Sequence, residues 1–219
     1  MTASSTGNPS DKVHAARESG PEGARLLSPR FESALLLASQ LHAGQLRKGT
    51  GVPYIAHLMG VAALVLEAGG DEDLAIAALL HDAVEDQGGK PTLEKIRQQF
   101  GNRVAAIVEG CTDADTIPKP PWRQRKEKYI AHVRTASPEI RLVSAADKLH
   151  NARAVLADYR IEGEDLWPRF NGGREGTLWY YRALVRAFRM AGTNQVVEEL
   201  ARVVDELDRL TAASGATQT

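Results

Sequence analysis

The stretch Leu74-Ala75-Ile76-Ala77-Ala78-Leu79-Leu80-His81-Asp82-Ala83-Val84-Glu85-Asp86 decides the fold. Its first seven residues are apolar without interruption, and Asp71 stands ahead of them as an N-cap. The pattern predicts a helix from about Glu72 to Glu85, and a helix that is apolar all round belongs in the middle of a bundle. Four ionisable groups then arrive within six residues: His81, Asp82, Glu85 and Asp86. Burying a charge without a partner costs several kcal/mol, so the end of a buried helix carries such groups only where a cleft opens. His81/Glu85 and Asp82/Asp86 are both i, i+4 pairs, one turn apart on a face. Acids near a helix C-terminus also oppose the macrodipole, which asks for a further reason for their presence.

Outward from this helix the pattern stays helical. Ser28-Pro29 caps and opens a helix from about Arg30 to Gln45. After the loop Leu46 to Pro53 comes a helix from about Tyr54 to Ala68, stopped by Gly69-Gly70. Downstream, Thr92 reads as the cap of a helix to Phe100, and Gly101 separates it from one over Asn102 to Cys111. Three prolines within residues 113–121 exclude a regular element. Further helices are expected from Trp122 to Ala136, Glu139 to Tyr159, Thr177 to Met190 and Asn194 to Leu210, with residues 160–175 irregular. No alternating strand pattern of useful length and no repeat occurs. The fold class is all-α, a single helical bundle of about eight or nine helices spanning 28–210. Residues 1–27 and 211–219, poor in apolar pattern, read as tails.

The chain of 219 residues is 43% apolar and 25% charged, with net charge −1, the composition of a globular protein. A near-zero charge argues against a general nucleic-acid or membrane-surface binder. The longest apolar run, Leu74 to Leu80, is far shorter than a membrane span. One cysteine, Cys111, excludes an intramolecular disulfide framework and fits a reducing, cytoplasmic setting. The N-terminus shows no secretory signal.

Adjacent side chains on a helix diverge by about 100°, so His81-Asp82 supplies only part of a metal shell and other helices must complete it. His57, beside apolar Ile55 and Leu58, and Asp147, within Leu142 to Asn151, are the candidates. Two histidines and two aspartates form a mixed nitrogen and oxygen shell with room for water, favouring Mn²⁺ or Fe²⁺ over structural zinc. Singly, each has a plainer reading: His57 as a core or capping histidine, Asp147 as the partner of Lys148 or Arg153, Glu85-Asp86 as an acidic helix end. Lys119, Arg123, Arg125, Lys126 and Lys128 form a basic segment, either a solvated helix face or a wall that receives polyphosphate. Of Trp179, Tyr180 and Tyr181, two are expected to pack. His42 and His150 read as core or supporting groups, and His14 and His132 as surface residues.

Taken together, the order His, His-Asp, Asp on successive helices resembles the HD phosphohydrolase superfamily. Arg47-Lys48-Gly49, Pro53-Tyr54-Ile55-Ala56-His57, Leu80 to Asp86 and Ala146-Asp147-Lys148-Leu149-His150-Asn151 are similar to the hydrolase domain of RelA/SpoT homologues, in particular the stand-alone small alarmone hydrolases. The resemblance covers about Phe31 to Met190. It implies hydrolysis of the 3′-diphosphate of guanosine tetra- and pentaphosphate, with His57, His81, Asp82 and Asp147 as Mn²⁺ ligands. By the same resemblance Glu85 and Asp86 handle the attacking water, Arg47 and Lys48 contact base and phosphates, and Asn151 contacts the nucleotide. Two departures from the family pattern are Leu58, where proline often follows the first histidine, and Gln87, where threonine is common. The competing readings are another HD phosphohydrolase, such as a nucleotidase or NADPH phosphatase, and a non-catalytic alarmone-binding module.

Overall fold

A computed structural model describes residues 27–112 and 120–216. All but the last residue of the expected 1–27 tail, most of the proline-rich 113–121 stretch and residues 217–219 lie outside the described residues.

The first helix, α1 (Pro29–Leu41), begins where Ser28 Oγ accepts from Arg30 N and proline fills a position that needs no N–H. It ends four residues before the expected Gln45, because the chain turns into a tight loop closed by the isolated antiparallel bridge Leu46–Pro53. Within that loop Arg47 N donates to Val52 O and Tyr54 N to Gln45 O, which fixes the segment carrying Arg47 and Lys48. Then follow α2 (Ile55–Glu67) and α3 (Glu72–Leu80), the latter capped by Asp71 Oδ1 accepting from Leu74 N at 3.0 Å.

Every residue of α3 from Leu74 to Leu80 is buried, and the helix packs against α1, α2, α6 (Asn102–Cys111) and α8 (Pro138–Glu162). The apolar run is therefore the bundle's centre, as its composition requires. The helix does not continue to Glu85. It breaks at His81-Asp82, and Ala83–Asp86 forms a separate turn, α4. The His81 ring is the local cause: its Nδ1 lies 2.8 Å from the carbonyl of Ala78, an oxygen that the regular ladder would use for the amide of residue 82.

Beyond it, α5 (Lys90–Phe100) is capped by Gly89, not by Thr92; the Thr92 hydroxyl instead donates to Gln87 O at 2.6 Å and closes the preceding turn. Next come α6 and the basic α7 (Trp122–Val133), which stops short of the expected Ala136. The long α8 runs three residues past Tyr159 and passes directly into a 3-10 segment, Gly163–Arg169, so 160–175 is far more regular than expected. Last come α9 (Gly173–Ala191) and α10 (Gln195–Ala216). The final helix overruns Leu210 into the expected 211–219 tail. Thr211 is buried with its hydroxyl on Leu207 O, and Ser214 receives the Tyr159 hydroxyl. Among the described residues the fold is thus all-α, with ten α-helices, because the central one is split, and one 3-10 segment. No described helix is long and apolar enough to cross a membrane.

Candidate metal centre and its cleft

Three packed elements deliver the site. α2 brings His57 from its first turn, the break after α3 brings His81 and Asp82, and α8 brings Asp147. His57 Nε2 stands 3.2 Å from Asp147 Oδ1 and 3.6 Å from Asp82 Oδ2. His81 Nε2 stands 3.1 Å from Asp82 Oδ2 and 3.6 Å from Asp147 Oδ1. Both residues keep near-helical backbone angles, and it is the reach of the imidazole and carboxylate tips that brings consecutive residues 81 and 82 to one point.

Both Nε2 atoms are buried and lack a well-directed hydrogen-bond partner among the described residues. The His81 Nδ1 partner is a carbonyl, which only accepts, so that nitrogen carries the hydrogen and a neutral ring turns its Nε2 lone pair toward two carboxylates. Such an arrangement requires a positive charge between them. In a protein without metal a proton supplies it: burial disfavours the His81 imidazolium, but Asp82 and Asp147 outweigh burial and hold its pKa well above the ordinary value. Burial likewise pushes Asp82 and Asp147 toward the neutral form, and the neighbouring histidines, with Lys148 at Asp147, hold both well below the usual range. Two imidazole nitrogens and two carboxylates at these separations also fit a divalent cation, and ligand atoms of His57, His81 and Asp147 lie within 4.8 Å of one another.

Supporting groups fix each ligand. His57 Nδ1 is 3.0 Å from His150 Nδ1, and burial with the nearby His57 and Arg47 pulls the His150 pKa down to about 4, keeping that ring neutral. The Tyr54 hydroxyl donates to Asp82 Oδ2 at 2.5 Å. Asp147 receives Lys148 Nζ on Oδ2 and Asn151 Nδ2 on Oδ1. Asn151 in turn accepts from Arg47 at 2.8 Å, joining the 46–53 loop to a ligand. Lys148 takes up Asp147 as the plainer sequence reading allowed, whereas Tyr54 carried no separate role there. Their signal was adjacency: each lies within or beside a motif already singled out for its neighbour.

The centre opens on a cavity of about 510 Å³. Arg47, Lys48, Asn151 and His57 line it, as do Lys148 and Lys126. Of the basic segment, α7 contributes Trp122 and Lys126 to the wall, whereas Arg123 covers the Trp179 ring and Lys128 is exposed. Lys119 lies outside the described residues. The Trp122 indole sits where Gly172 and Gly176 leave space: a Cβ at Gly172 would come within 2.6 Å of it. Tyr180 and Tyr181 are buried and still border the cavity. His42 is buried against Gln45, and His132 is exposed with Nε2 at Gly110 O. Glu85 and Asp86 do not line this cavity. Asp86 accepts from Gln45 Nε2 at 2.8 Å at a neighbouring opening, and Gln87 braces Gln45 at 2.7 Å, while Glu85 is half-buried one turn beyond the ligands.

A family model for the HD domain matches residues 34–178, a span that contains His57, His81, Asp82 and Asp147. The chain belongs to the HD-domain family. Within that family it is similar to the mouse and human proteins named guanosine-3′,5′-bis(diphosphate) 3′-pyrophosphohydrolase MESH1. Each is 39% identical over 137 residues, 61% of this HD-domain chain and 71% of the relative. The protein of that name from Xenopus tropicalis is 42% identical over 130 residues, 56% of this chain and 70% of its own. A solved structure of a metazoan ortholog of SpoT, described as hydrolyzing ppGpp and playing a role in starvation responses, superposes with a TM-score of 0.70. It is 28% identical, with 84% of this chain and 98% of the other covered.

Proposed function

We propose that this chain is a metal-dependent hydrolase that removes the 3′-diphosphate from guanosine tetra- and pentaphosphate, giving GDP or GTP and pyrophosphate. One observation carries the reading: two orphaned imidazole nitrogens face two carboxylates at the head of a cleft bearing Arg47, Lys48, Lys126 and Lys148. The likeness to enzymes named for this reaction supports it.

His57, His81, Asp82 and Asp147 hold the cation, which we assign as Mn²⁺ from the mixed nitrogen and oxygen donor set. When bound, the ion supplies a lowered pKa for water and a Lewis acid for phosphoryl oxygen. The chain's own groups do the rest. Arg47 and Lys48 receive the nucleotide phosphates, and Asn151 orients it from the next turn after Asp147. Glu85 accepts the proton of the attacking water, and Asp86, held by Gln45, adds negative charge beside it. The new P–O bond forms as the O3′–P bond breaks; one O–H bond of water is exchanged for one on the ribose 3′ oxygen. We place the enzyme in the cytoplasm, a setting that suits its single, unpaired, buried Cys111.

The test is turnover with ppGpp, pppGpp and NADPH in the presence of Mn²⁺, Mg²⁺, Zn²⁺ or a chelator. Pyrophosphate released from the guanosine compounds with Mn²⁺, and lost with chelator, is the expected result. Inorganic phosphate from NADPH or a mononucleotide, or binding without turnover, overturns it.

A further inference from the structure

Asp158 is the only carboxylate among the described residues lining the main cavity, whose charged groups are otherwise cationic. It lies on α8 eleven residues after Asp147. That spacing returns it to within about 20° of the same helix face, roughly 16 Å further along the axis. Asp147, Asn151, Ala154 and Asp158 therefore form one stripe, the last three of them bordering the cavity. The stripe runs from the metal centre to the far end of the cleft, a span that suits a nucleoside whose 3′ substituent reaches the centre.

The far end differs in chemistry from the near end. Ala154, Val155 and Phe170 give it apolar surface for a planar ring, and Asp158 brings two acceptor oxygens. Arg169 Nη1 donates to Asp158 Oδ2 at 3.4 Å, and Oδ1 has no hydrogen-bond partner among the described residues. Arg169 is itself confined, its Cδ packed 2.8 Å from where a Cβ at Gly49 would stand. The carboxylate is thus positioned, yet its side chain is still 34% exposed and open to a ligand.

A carboxylate in a cleft for a polyanion costs affinity unless the ligand brings donors to it. The edge of guanine does so, with N1–H and the N2 amino group side by side; adenine presents an acceptor at N1 and no amino group at C2. We infer that Asp158 reads the guanine edge and sets the preference of this site for guanine over adenine nucleotides. The inference rests on the proposed substrate class and adds the residue that selects the base. A fully buried polar site rejects a ligand lacking its partner by about 10⁴-fold or more, and a partly exposed one by less, so discrimination of about tenfold or greater is expected.

The experiment compares guanosine 3′,5′-bis(diphosphate) with its adenosine counterpart on wild type, Asp158→Ala and Asp158→Asn. It reads binding by calorimetry with chelator present and, separately, kcat/KM with Mn²⁺. Wild type should favour the guanosine compound by about tenfold or more, and Asp158→Ala should bring the ratio near one, chiefly through KM. Asp158→Asn, whose amide both donates and accepts, should shift the ratio toward adenosine. General damage to the fold lowers both substrates together and leaves the ratio unchanged. A ratio unchanged in both variants, or a wild type that does not discriminate, overturns the inference even if pyrophosphate is released. Discrimination in binding that is lost in Asp158→Ala sustains it even if no substrate turns over, an outcome that defeats the proposed reaction alone.

Discussion

At the scale of single residues, Asp82 and Glu85 lie three positions apart and part company in role. Asp82 Oδ2 is within 3.6 Å of both orphaned histidine nitrogens, whereas Glu85 sits on the turn beyond the break. Asp82→Ala should abolish both metal binding and activity, measured by Mn²⁺ titration and turnover. Glu85→Ala should keep the metal and lose about 10²- to 10⁴-fold in kcat, the ordinary worth of a general base. Full activity in a Glu85→Ala, Asp86→Ala double variant contradicts the proton role. Tyr54→Phe deletes the hydroxyl on Asp82 and leaves the ring in place; loss of such an outer partner typically weakens metal affinity about tenfold or more. An unchanged Mn²⁺ affinity in that variant would show the hydroxyl to be incidental. The four converging groups were legible in sequence because each sits in a short, chemically odd motif. The hydroxyl of Tyr54 was not, since an aromatic beside a candidate ligand looks the same whether it packs or bonds.

At the scale of elements, the start of α3 is tied to the Arg103 ion network. Asp71 caps the helix and also pairs with Arg103 Nη1 at 2.7 Å. Burial opposes ionisation of Asp71, but the bonds from Arg103 and from the amides of Leu74 and Asp73 outweigh it and hold its pKa below the ordinary 3.8. A depressed acid contributes stability above its unfolded pKa and loses it as pH falls through the folded value. Thermal unfolding should therefore show an acid limb below about pH 4 that flattens in Asp71→Asn. The side chain is largely exposed, so the pairing with Arg103 contributes little; the cap contributes about 1 kcal/mol, which Asp71→Ala should lose in denaturant titration. Helix positions followed from apolar periodicity and the Ser28 and Asp71 caps were legible, but several other helix ends were not. Thr92 resembles a cap but bonds backward to Gln87, and the 72–85 pattern runs unbroken across a backbone that His81 interrupts. Propensity has no view of a side chain that captures a carbonyl of its own helix.

At the scale of the whole molecule, the four candidate ligands come from three segments separated by long stretches of chain. A cation bound to all of them stabilises the folded state against an unfolded chain that cannot assemble the set. Mn²⁺ at a hundred times its dissociation constant should add about 2.7 kcal/mol, seen as a rise in melting temperature that is absent in Asp82→Ala. No rise in wild type would mean that the four groups do not share an ion. The all-α class and the central place of the 74–80 run were readable from the apolar pattern alone. The placement of the cleft was not: it depends on how α7 leans on α9 through the Trp122 indole, a contact between residues some fifty positions apart.

The relay from Arg47 through Asn151 to Asp147 has a thermodynamic corollary. A single amide is shared by the loop assigned to grip the nucleotide and by the carboxylate assigned to grip the ion. Whatever factor the cation applies to nucleotide affinity through that amide, the nucleotide must return to cation affinity in equal measure. Occupancy of either ligand is then an effector for the other, and Asn151→Ala should uncouple the two titrations.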